Sequence, residues 1–337
     1  MHHNTFRTMR VNINMVYRAI LNRIDLLAKR LVGGIILLIL ISSAHATTFE
    51  IHVFADSKLA LHQHFISKVK SHLTVGSNDN LQYSISIINN VDSNQIDTAK
   101  PDAILVLGTR SAKIFSETAI TSHVIYGLVP SKFYKKRIAT STSCKQNNCT
   151  AIFIDQPLAR SVKLAKLALP NTKAVGLLVG EKSNIPAIKE IANQHSLTLE
   201  ARLLTNQKDL VHTLSDILAN ADSLLTYPDP TIYNSWTAQN ILLTAYRHKK
   251  PVIGYSKSFI KAGALLGVYS TPSQLAQQTS DMILSISRKK ETEKFLPTPQ
   301  YPKYYTVSVN QMVAKSLGIQ IESEHKLKAA LKVLENE

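Results

Sequence analysis

The chain has 337 residues, of which 45% are hydrophobic, 7% aromatic and 18% charged, a globular composition that excludes a disordered chain or a coiled-coil rod as a description of the whole. Its 39 Lys and Arg against 23 Asp and Glu give a formal net charge of +16, which raises the question of an anionic partner such as nucleic acid or a membrane surface. The two cysteines exclude a disulfide-rich scaffold and a four-cysteine zinc site.

The first 46 residues have the pattern of a secretory signal peptide. Six basic side chains between positions 7 and 30 precede the uncharged run 31–41, and Ala44-His45-Ala46 matches an A-x-A cleavage site. The alternative is a membrane anchor, but eleven apolar residues are fewer than the roughly 20 that a spanning helix needs. We therefore expect cleavage between Ala46 and Thr47 and a periplasmic mature protein without a membrane anchor.

Short β-branched runs then alternate with amphipathic stretches. In chain order we predict strands over 49–54, 81–88, 102–107 and 123–129, with helices over 59–73 and 111–118. We predict a loop over the basic segment 130–150. Alternation of this kind is typical of a mainly parallel sheet covered by helices.

The same alternation starts again at residue 151. We predict strands over 151–154, 174–179, 197–203, 222–226, 251–255 and 265–269. We predict helices over 186–195, 208–219, 235–247 and 272–287, and two more helices that end near residues 169 and 262. Thr271 is suited to cap the last of these helices, with Pro272 at its first position. The sequence thus predicts an α/β protein with two doubly wound (Rossmann-like) parallel-sheet domains and no short-period repeat.

Ligands of open α/β sheets bind at the carboxyl ends of the strands, and two such domains place these ends opposite one another across a cleft. The residues that follow the predicted strands are therefore our candidate ligand-binding residues: Asp56, Gly108, Thr109, Arg110, Asp155, Tyr227, Asp229, Tyr255, Ser256 and Tyr269.

Two of these candidates carry complementary charges. Arg110 at a helix start is unfavourable to the helix dipole, so it either clamps a ligand carboxylate or is an exposed or salt-bridged arginine. Asp229, between two prolines, either accepts from a ligand ammonium or caps its own turn. Each tyrosine either lines the cleft or belongs to a core.

The remaining motifs give weaker readings. Cys144 and Cys149 enclose four polar residues, which favours a surface-loop disulfide over a redox pair. The segment 254–258 lacks the second glycine of a nucleophile elbow, so a serine hydrolase is the minor enzyme alternative. His62 and His64 diverge on a helix, and no phosphate-binding glycine motif is present. We expect no enzyme activity, no cofactor and no metal.

The dense basic runs lack interleaved aromatics, which favours solvated faces over nucleic-acid binding.

Several segments resemble the ABC-transporter substrate-binding protein family, which has the type I periplasmic binding protein fold. They are 227–234 (YPDPTIYN), 240–244 (NILLT), 247–255 (RHKKPVIGY), 261–265 (KAGAL), Val309-Asn310, Ala314 and Leu317-Gly318-Ile319. The resemblance covers roughly 100–319 and is strongest over 222–285. Gly108-Thr109 match a small, hydroxyl-bearing loop of the family's first domain and Asp155 begins a second-domain loop, whereas Arg110 departs from the small residue expected there.

The resemblance implies a chain that crosses a hinge several times. Domain one then holds 47–154 plus 268–297, domain two holds 155–267 plus 300–321, and 322–337 form a charged C-terminal tail. It also implies a monomer that closes on a small ligand such as an amino acid and delivers it to the permease of an ABC importer. The alternative partner is a membrane sensor, and adjacent genes for a permease and ATPase, or for a kinase or cyclase, would distinguish the two.

Overall fold

The computed structural model describes residue 23 and residues 47–76, 81–89, 100–118, 120, 122–145, 148–180, 184–288 and 296–336. Ala46 and nearly all of the predicted signal peptide lie outside these ranges. Within them, no helix combines the length and the apolar character needed to span a membrane.

The first half of the chain forms a five-stranded sheet with strand order β2-β1-β3-β4-β5. Its elements are β1 (Thr47–Phe54), α1 (Ala60–Gly76), β2 (Leu81–Ile88), β3 (Ala103–Leu107), α2 (Gly108–Ser116), β4 (His123–Val129), α3 (Ser131–Phe133), a π-helical continuation (Tyr134–Ile138), α4 (Thr142–Lys145) and β5 (Cys149–Phe153). Strands β1, β3, β4 and β5 pair in parallel, and β3 is buried along its whole length, as expected of a strand covered on both faces. We call this sheet with its helices the first lobe.

The second half forms a six-stranded sheet with strand order β11-β10-β9-β8-β6-β7. Its elements are α5 (Leu158–Ala168), β6 (Ala174–Val179), α6 (Ile185–Asn193), β7 (Thr198–Leu203), a 3-10 turn (Gln207–Asp209), α7 (Leu210–Asn220), β8 (Ser223–Leu225), α8 (Ala238–Arg247), β9 (Val252–Gly254), α9 (Lys257–Ala262), β10 (Leu266–Tyr269), β11 (Thr306–Val309), α11 (Gln311–Leu317) and α12 (Glu324–Asn336). Only β11 runs antiparallel to its neighbour among the described strand pairs of this sheet. We call it the second lobe, and the predicted pair of parallel-sheet α/β domains is confirmed.

The chain passes between the lobes three times. It leaves the first lobe at 154–157 and returns after β10 with α10 (Pro272–Ser287), which packs on α1. Gln300 then pairs beside Ile152 of β5, and β11 brings the chain back beside β10. The predicted boundary at residue 268 falls inside β10, which lies in the second sheet.

Helix α10 begins as its sequence indicates. The Thr271 hydroxyl accepts from the Gln274 amide N–H at 3.2 Å, and the Gln274 side chain accepts from the Thr271 N–H at 2.9 Å. Pro272 occupies the first turn, where its missing N–H costs nothing.

Two segments differ from the sequence predictions. Most of 130–150 is helical instead of a loop, because Tyr134 and Ile138 are buried in the first-lobe core, and the predicted disulfide between Cys144 and Cys149 is confirmed there. The predicted charged tail contains α12, whose Leu327 and Leu331 are buried in the core of the second lobe. Apolar side chains spaced four residues apart on one helix face account for this packing.

Candidate functional site

A cavity of about 730 Å³ lies between the two lobes, within the size range of small-molecule sites. Its lining comes from both lobes and from the segments that connect them: Pro130, Ser131, Lys132, Lys135, Lys136, Asp155, Gln156, Leu158, Ser161, Asn184, Ala187, Ile188, Ile191, Thr226, Tyr227, Pro228, Tyr255 and Tyr301. Both sheets contribute residues that follow the carboxyl ends of parallel strands, where α/β proteins bind their ligands.

Asp155 connects the crossing segment to the first lobe. Its carboxylate accepts hydrogen bonds from the Ser131 N–H at 2.6 Å and from the Ser131 hydroxyl at 2.5 Å, so it caps the helical segment that begins there. The Tyr301 hydroxyl donates to the same serine hydroxyl at 3.3 Å. Burial raises the pKa of the Asp155 carboxyl, while the bonds from Ser131 and the charge of Lys135 act in the opposite direction.

Three lysines form the basic side of the cavity. Lys132, Lys135 and Lys136 all line it and are exposed, because Tyr134 and Ile138 of the same helical segment point into the first-lobe core. The Lys135 ammonium lies 5.9 Å from the centre of the Tyr301 ring, within cation–π distance. The helical segment therefore presents positive charge to the cavity and apolar surface to the core.

Aromatic side chains of the second lobe form another part of the lining. Tyr227 and Tyr255 both line the cavity and flank the buried Tyr233, with ring centres 6.0 and 6.2 Å from it. The Tyr255 hydroxyl donates to the Tyr233 carbonyl at 3.3 Å, and burial raises the pKa of Tyr255. These contacts hold the rings as fixed flat surfaces.

The aliphatic part of the lining comes from α5 and α6 of the second lobe. Leu158, Ile188 and Ile191 line the cavity and also pack against the second-lobe core. The Asn184 side chain caps α6 by accepting from the Ala187 N–H at 3.2 Å, so its oxygen already has a donor. The second lobe thus offers apolar contact area opposite the basic first-lobe helix.

Asp229 lies in a smaller neighbouring cavity of about 310 Å³, which also contains Lys132. One of its oxygens accepts from the Thr231 N–H at 3.1 Å and hydroxyl at 2.6 Å, the turn interaction that its position between prolines allows. The other lies 3.3 Å from the Tyr227 hydroxyl and 3.7 Å from the Lys132 ammonium. The Asp229–Lys132 ion pair thus joins the two lobes.

Other predicted site residues are not among the lining residues of either cavity. Their side chains have local contacts: Asp56 accepts from the Lys58 N–H at 3.0 Å, Ser256 caps α9, and Tyr269 lies 3.1 Å from the Ser308 hydroxyl. Thr109 and Arg110 are exposed on α2.

Gly108 has a conformational role at the start of α2. Its φ is +78°, a value that favours glycine, and a Cβ there would lie 3.1 Å from the His62 ring. His62 in turn accepts from the Asp56 N–H at 3.1 Å. This strand-end loop is held by packing within the first lobe.

Of the predicted ligand-binding residues, Asp155, Tyr227 and Tyr255 line the cavity, which is also lined by Ser131, Tyr301 and the three lysines, residues that the sequence did not single out. The basic run 135–137 is the sequence feature that points to these lysines, but without interleaved aromatic residues its charges indicate a solvated face. Within the described ranges, no group of three or more His, Cys, Asp or Glu is arranged to hold a metal ion.

Comparisons with known proteins agree with this architecture. Solved structures with a similar fold include a conserved domain protein of Vibrio cholerae (20% identity, TM-score 0.53, covering 84% of this chain and 98% of that one). An ABC domain from Streptococcus pneumonia in complex with L-Trp is 17% identical, with a TM-score of 0.52 and coverage of 82% and 97%. A ligand-free, open substrate-binding protein with adhesive properties from Clostridium difficile is 16% identical, with a TM-score of 0.63 and coverage of 81% and 96%.

A search of curated proteins found no match. The family model described as ABC transporter substrate binding protein matches residues 60–334, a range that leaves out β1 (Thr47–Phe54) but includes the rest of both sheets and every residue of the cavity lining. This confirms the resemblance carried by the strand-end segments of the second lobe. The chain belongs to the family of ABC-transporter substrate-binding proteins.

Proposed function

We propose that the protein is exported, binds a small organic ligand in the cavity between its lobes, and delivers that ligand to the permease of an ABC importer. The observation that carries the proposal is that one cavity is lined both by the first-lobe lysines and by the second-lobe tyrosines. A ligand that touches both sets stabilises the form in which the lobes are close together, since only that form offers all the contacts.

Export is the part of the proposal that rests on the first 46 residues. Their basic, apolar and small-residue regions follow one another in the order of a secretory signal. Mass spectrometry of the protein from the periplasmic fraction tests this, with a mature chain that begins at Thr47 as the expected result. A membrane-bound protein that retains 31–41 would contradict it.

The first ligands to test are amino acids, because the Streptococcus pneumonia structure holds L-Trp. We would screen the standard amino acids and a set of small carboxylic acids by thermal shift, and measure the strongest ligand by calorimetry. Tyr255→Ala removes an aromatic wall of the cavity, and we expect at least a tenfold loss of affinity, or roughly 1.4 kcal/mol.

Tyr246→Ala is the matched control. This tyrosine is 50% exposed and is not among the residues that line the cavity, so its variant is expected to bind as the parent protein does. Circular dichroism would establish that both variants are folded. Equal affinity of the two folded variants for the strongest ligand would refute the cavity as the binding site.

A further inference from the structure

We infer that the cavity selects a small organic anion that has an apolar body and lacks an ammonium group. The inference rests on the proposed function, since it assigns the ligand class of the same cavity. It departs from the zwitterionic ligand suggested by the pairing of Arg110 with Asp229, because Arg110 is not among the lining residues.

The side chains that line the cavity carry an excess of positive charge. Among the described residues that line the cavity, three are lysines and one, Asp155, is a carboxylate. The side chains of the lining therefore carry a formal net charge of +2, from three lysines and one carboxylate. The three lysines are exposed, so water screens part of this charge, but the lining still attracts an anion and repels a cation.

The side-chain acceptors that a ligand ammonium would need already have donors within the protein. Both oxygens of Asp155 accept from Ser131. The Gln156 amide oxygen accepts from Arg160 at 2.5 Å, and the Asn184 oxygen accepts from the Ala187 N–H. An ammonium group would therefore lose its hydration among lysines and would share each of these carboxylate and amide oxygens with a donor that is already bound.

Two of the three lysines are available to a ligand. Lys132 lies 3.7 Å from Asp229, but neither Lys135 nor Lys136 forms a salt bridge with a carboxylate in the described part of the chain. Each ammonium has three donors, and charge-assisted bonds to a carboxylate are stronger than neutral ones.

The apolar body of the ligand follows from the second-lobe lining. Leu158, Ile188 and Ile191, together with the rings of Tyr227 and Tyr255, provide contact area for hydrocarbon or an aromatic ring. An anion with this body contacts lysines of one lobe through its charged end and apolar side chains of the other lobe through its body. Such a ligand bridges the lobes.

Three compounds in which two carbons separate a phenyl ring from each charged group distinguish the charge classes: 3-phenylpropanoate is an anion, L-phenylalanine a zwitterion and 2-phenylethylamine a cation. Calorimetry with the full mature protein is expected to give at least tenfold tighter binding of 3-phenylpropanoate than of phenylalanine, with the amine weakest. Raising the salt concentration should weaken binding of the anion, since the lysines are exposed.

The double variant Lys135→Gln/Lys136→Gln tests the lysines directly. We expect about a tenfold loss of affinity for 3-phenylpropanoate, since two exposed charge partners are removed. The control is Lys261→Gln/Lys315→Gln, which removes the same charge from two exposed lysines that are not among the lining residues. Equal losses in the two double variants would overturn the assignment of the anion to Lys135 and Lys136.

The outcomes distinguish the ligand class from the function. Tighter binding of phenylalanine or phenylethylamine than of 3-phenylpropanoate overturns the anion inference and leaves ligand binding in the cavity intact. If none of the three binds, the strongest ligand of the wider screen determines whether the inference holds. An ammonium group on that ligand overturns the inference. No binding of any screened compound by the folded protein overturns both the inference and the proposed function.

Discussion

Replacing Asp155 by alanine tests the contact that fixes the lysine-bearing helical segment. The carboxylate holds the N–H and the hydroxyl of the buried Ser131 at 2.6 and 2.5 Å. The alanine variant leaves this buried N–H without its acceptor, and an unsatisfied buried donor costs about 1–3 kcal/mol.

The expected magnitude is set by two opposing contributions. Each hydrogen bond to a charged group contributes about 1.5–3 kcal/mol to stability, but burial of the carboxylate, which raises its pKa, offsets part of this gain. We expect a net loss of about 2 kcal/mol, or a melting temperature lower by roughly 3 °C for a chain of 337 residues.

Urea and thermal unfolding followed by circular dichroism measure the effect. Asp155→Asn is the matched control, since its amide oxygen still accepts from the Ser131 N–H and its amide N–H donates to the serine hydroxyl. Asp56→Ala is a second control, because that carboxylate caps a short turn at Lys58. An alanine variant at 155 as stable as Asp56→Ala would show that the bonds from Ser131 to Asp155 do not stabilise the fold.

The pH dependence has a definite sign. A carboxyl whose pKa is raised above its ordinary value of 3.8 binds more protons in the folded than in the unfolded state between the two values. Its contribution to stability therefore falls as the pH rises through that window, and the parent protein should lose stability relative to Asp155→Asn above about pH 4. The opposite slope would show that the Ser131 hydrogen bonds outweigh burial.

Two further predictions concern parts of the chain outside the cavity. Replacing Cys144 and Cys149 by serine removes a link across a sequence separation of 5, which should lower the free energy of unfolding by about 2 kcal/mol in the chain-entropy model. Ligand affinity measured by calorimetry should stay within about threefold of the parent value. A larger loss of affinity would place this loop at the binding site. Leu331→Ala truncates a fully buried side chain of α12 and should lower the free energy of unfolding, measured in urea, by about 2–5 kcal/mol. The control is Val333→Ala, because Val333 is 58% exposed and its truncation should change the free energy of unfolding by no more than about 0.5 kcal/mol. Equal stabilities of the two variants would show that α12 does not pack on the core.

Local patterns were sufficient to predict most of the fold. The predicted strands over 81–88, 123–129 and 174–179 have the bounds that the structure shows. Each is an apolar or alternating run bounded by polar residues, proline or glycine, so each strand is defined by its own segment. The segment 130–150 has no such regular pattern, because its helical turns depend on burial of Tyr134 and Ile138 and on a cap from Asp155, which is distant in sequence.

The site could be predicted only in part, for a related reason. Because α/β proteins bind ligands at the carboxyl ends of parallel strands, the predicted strands identify which edge of each sheet carries the binding loops. This was enough to place Asp155 and Tyr255 at the cavity. It does not identify which loops face the other lobe, since that depends on how the crossing segments set the two lobes. Arg110 follows a strand at the correct edge but is exposed on α2, and Asp229 adopts the turn interaction that was its alternative role.

Asp155 links the charge of the cavity to the position of its lysines, and its two variants should therefore change anion affinity in opposite directions. Asp155→Asn removes a negative charge from the lining but keeps an acceptor for Ser131, so the lysines stay in place and the attraction of an anion increases. Asp155→Ala also removes the charge, but it releases the start of the helical segment that carries Lys132, Lys135 and Lys136. The lost positioning should outweigh the gained attraction, because an anion bound by several donors depends on their geometry. Calorimetry with 3-phenylpropanoate should give tighter binding for the asparagine variant than for the parent and weaker binding for the alanine variant. Tighter binding by both variants would show that the carboxylate acts through its charge alone.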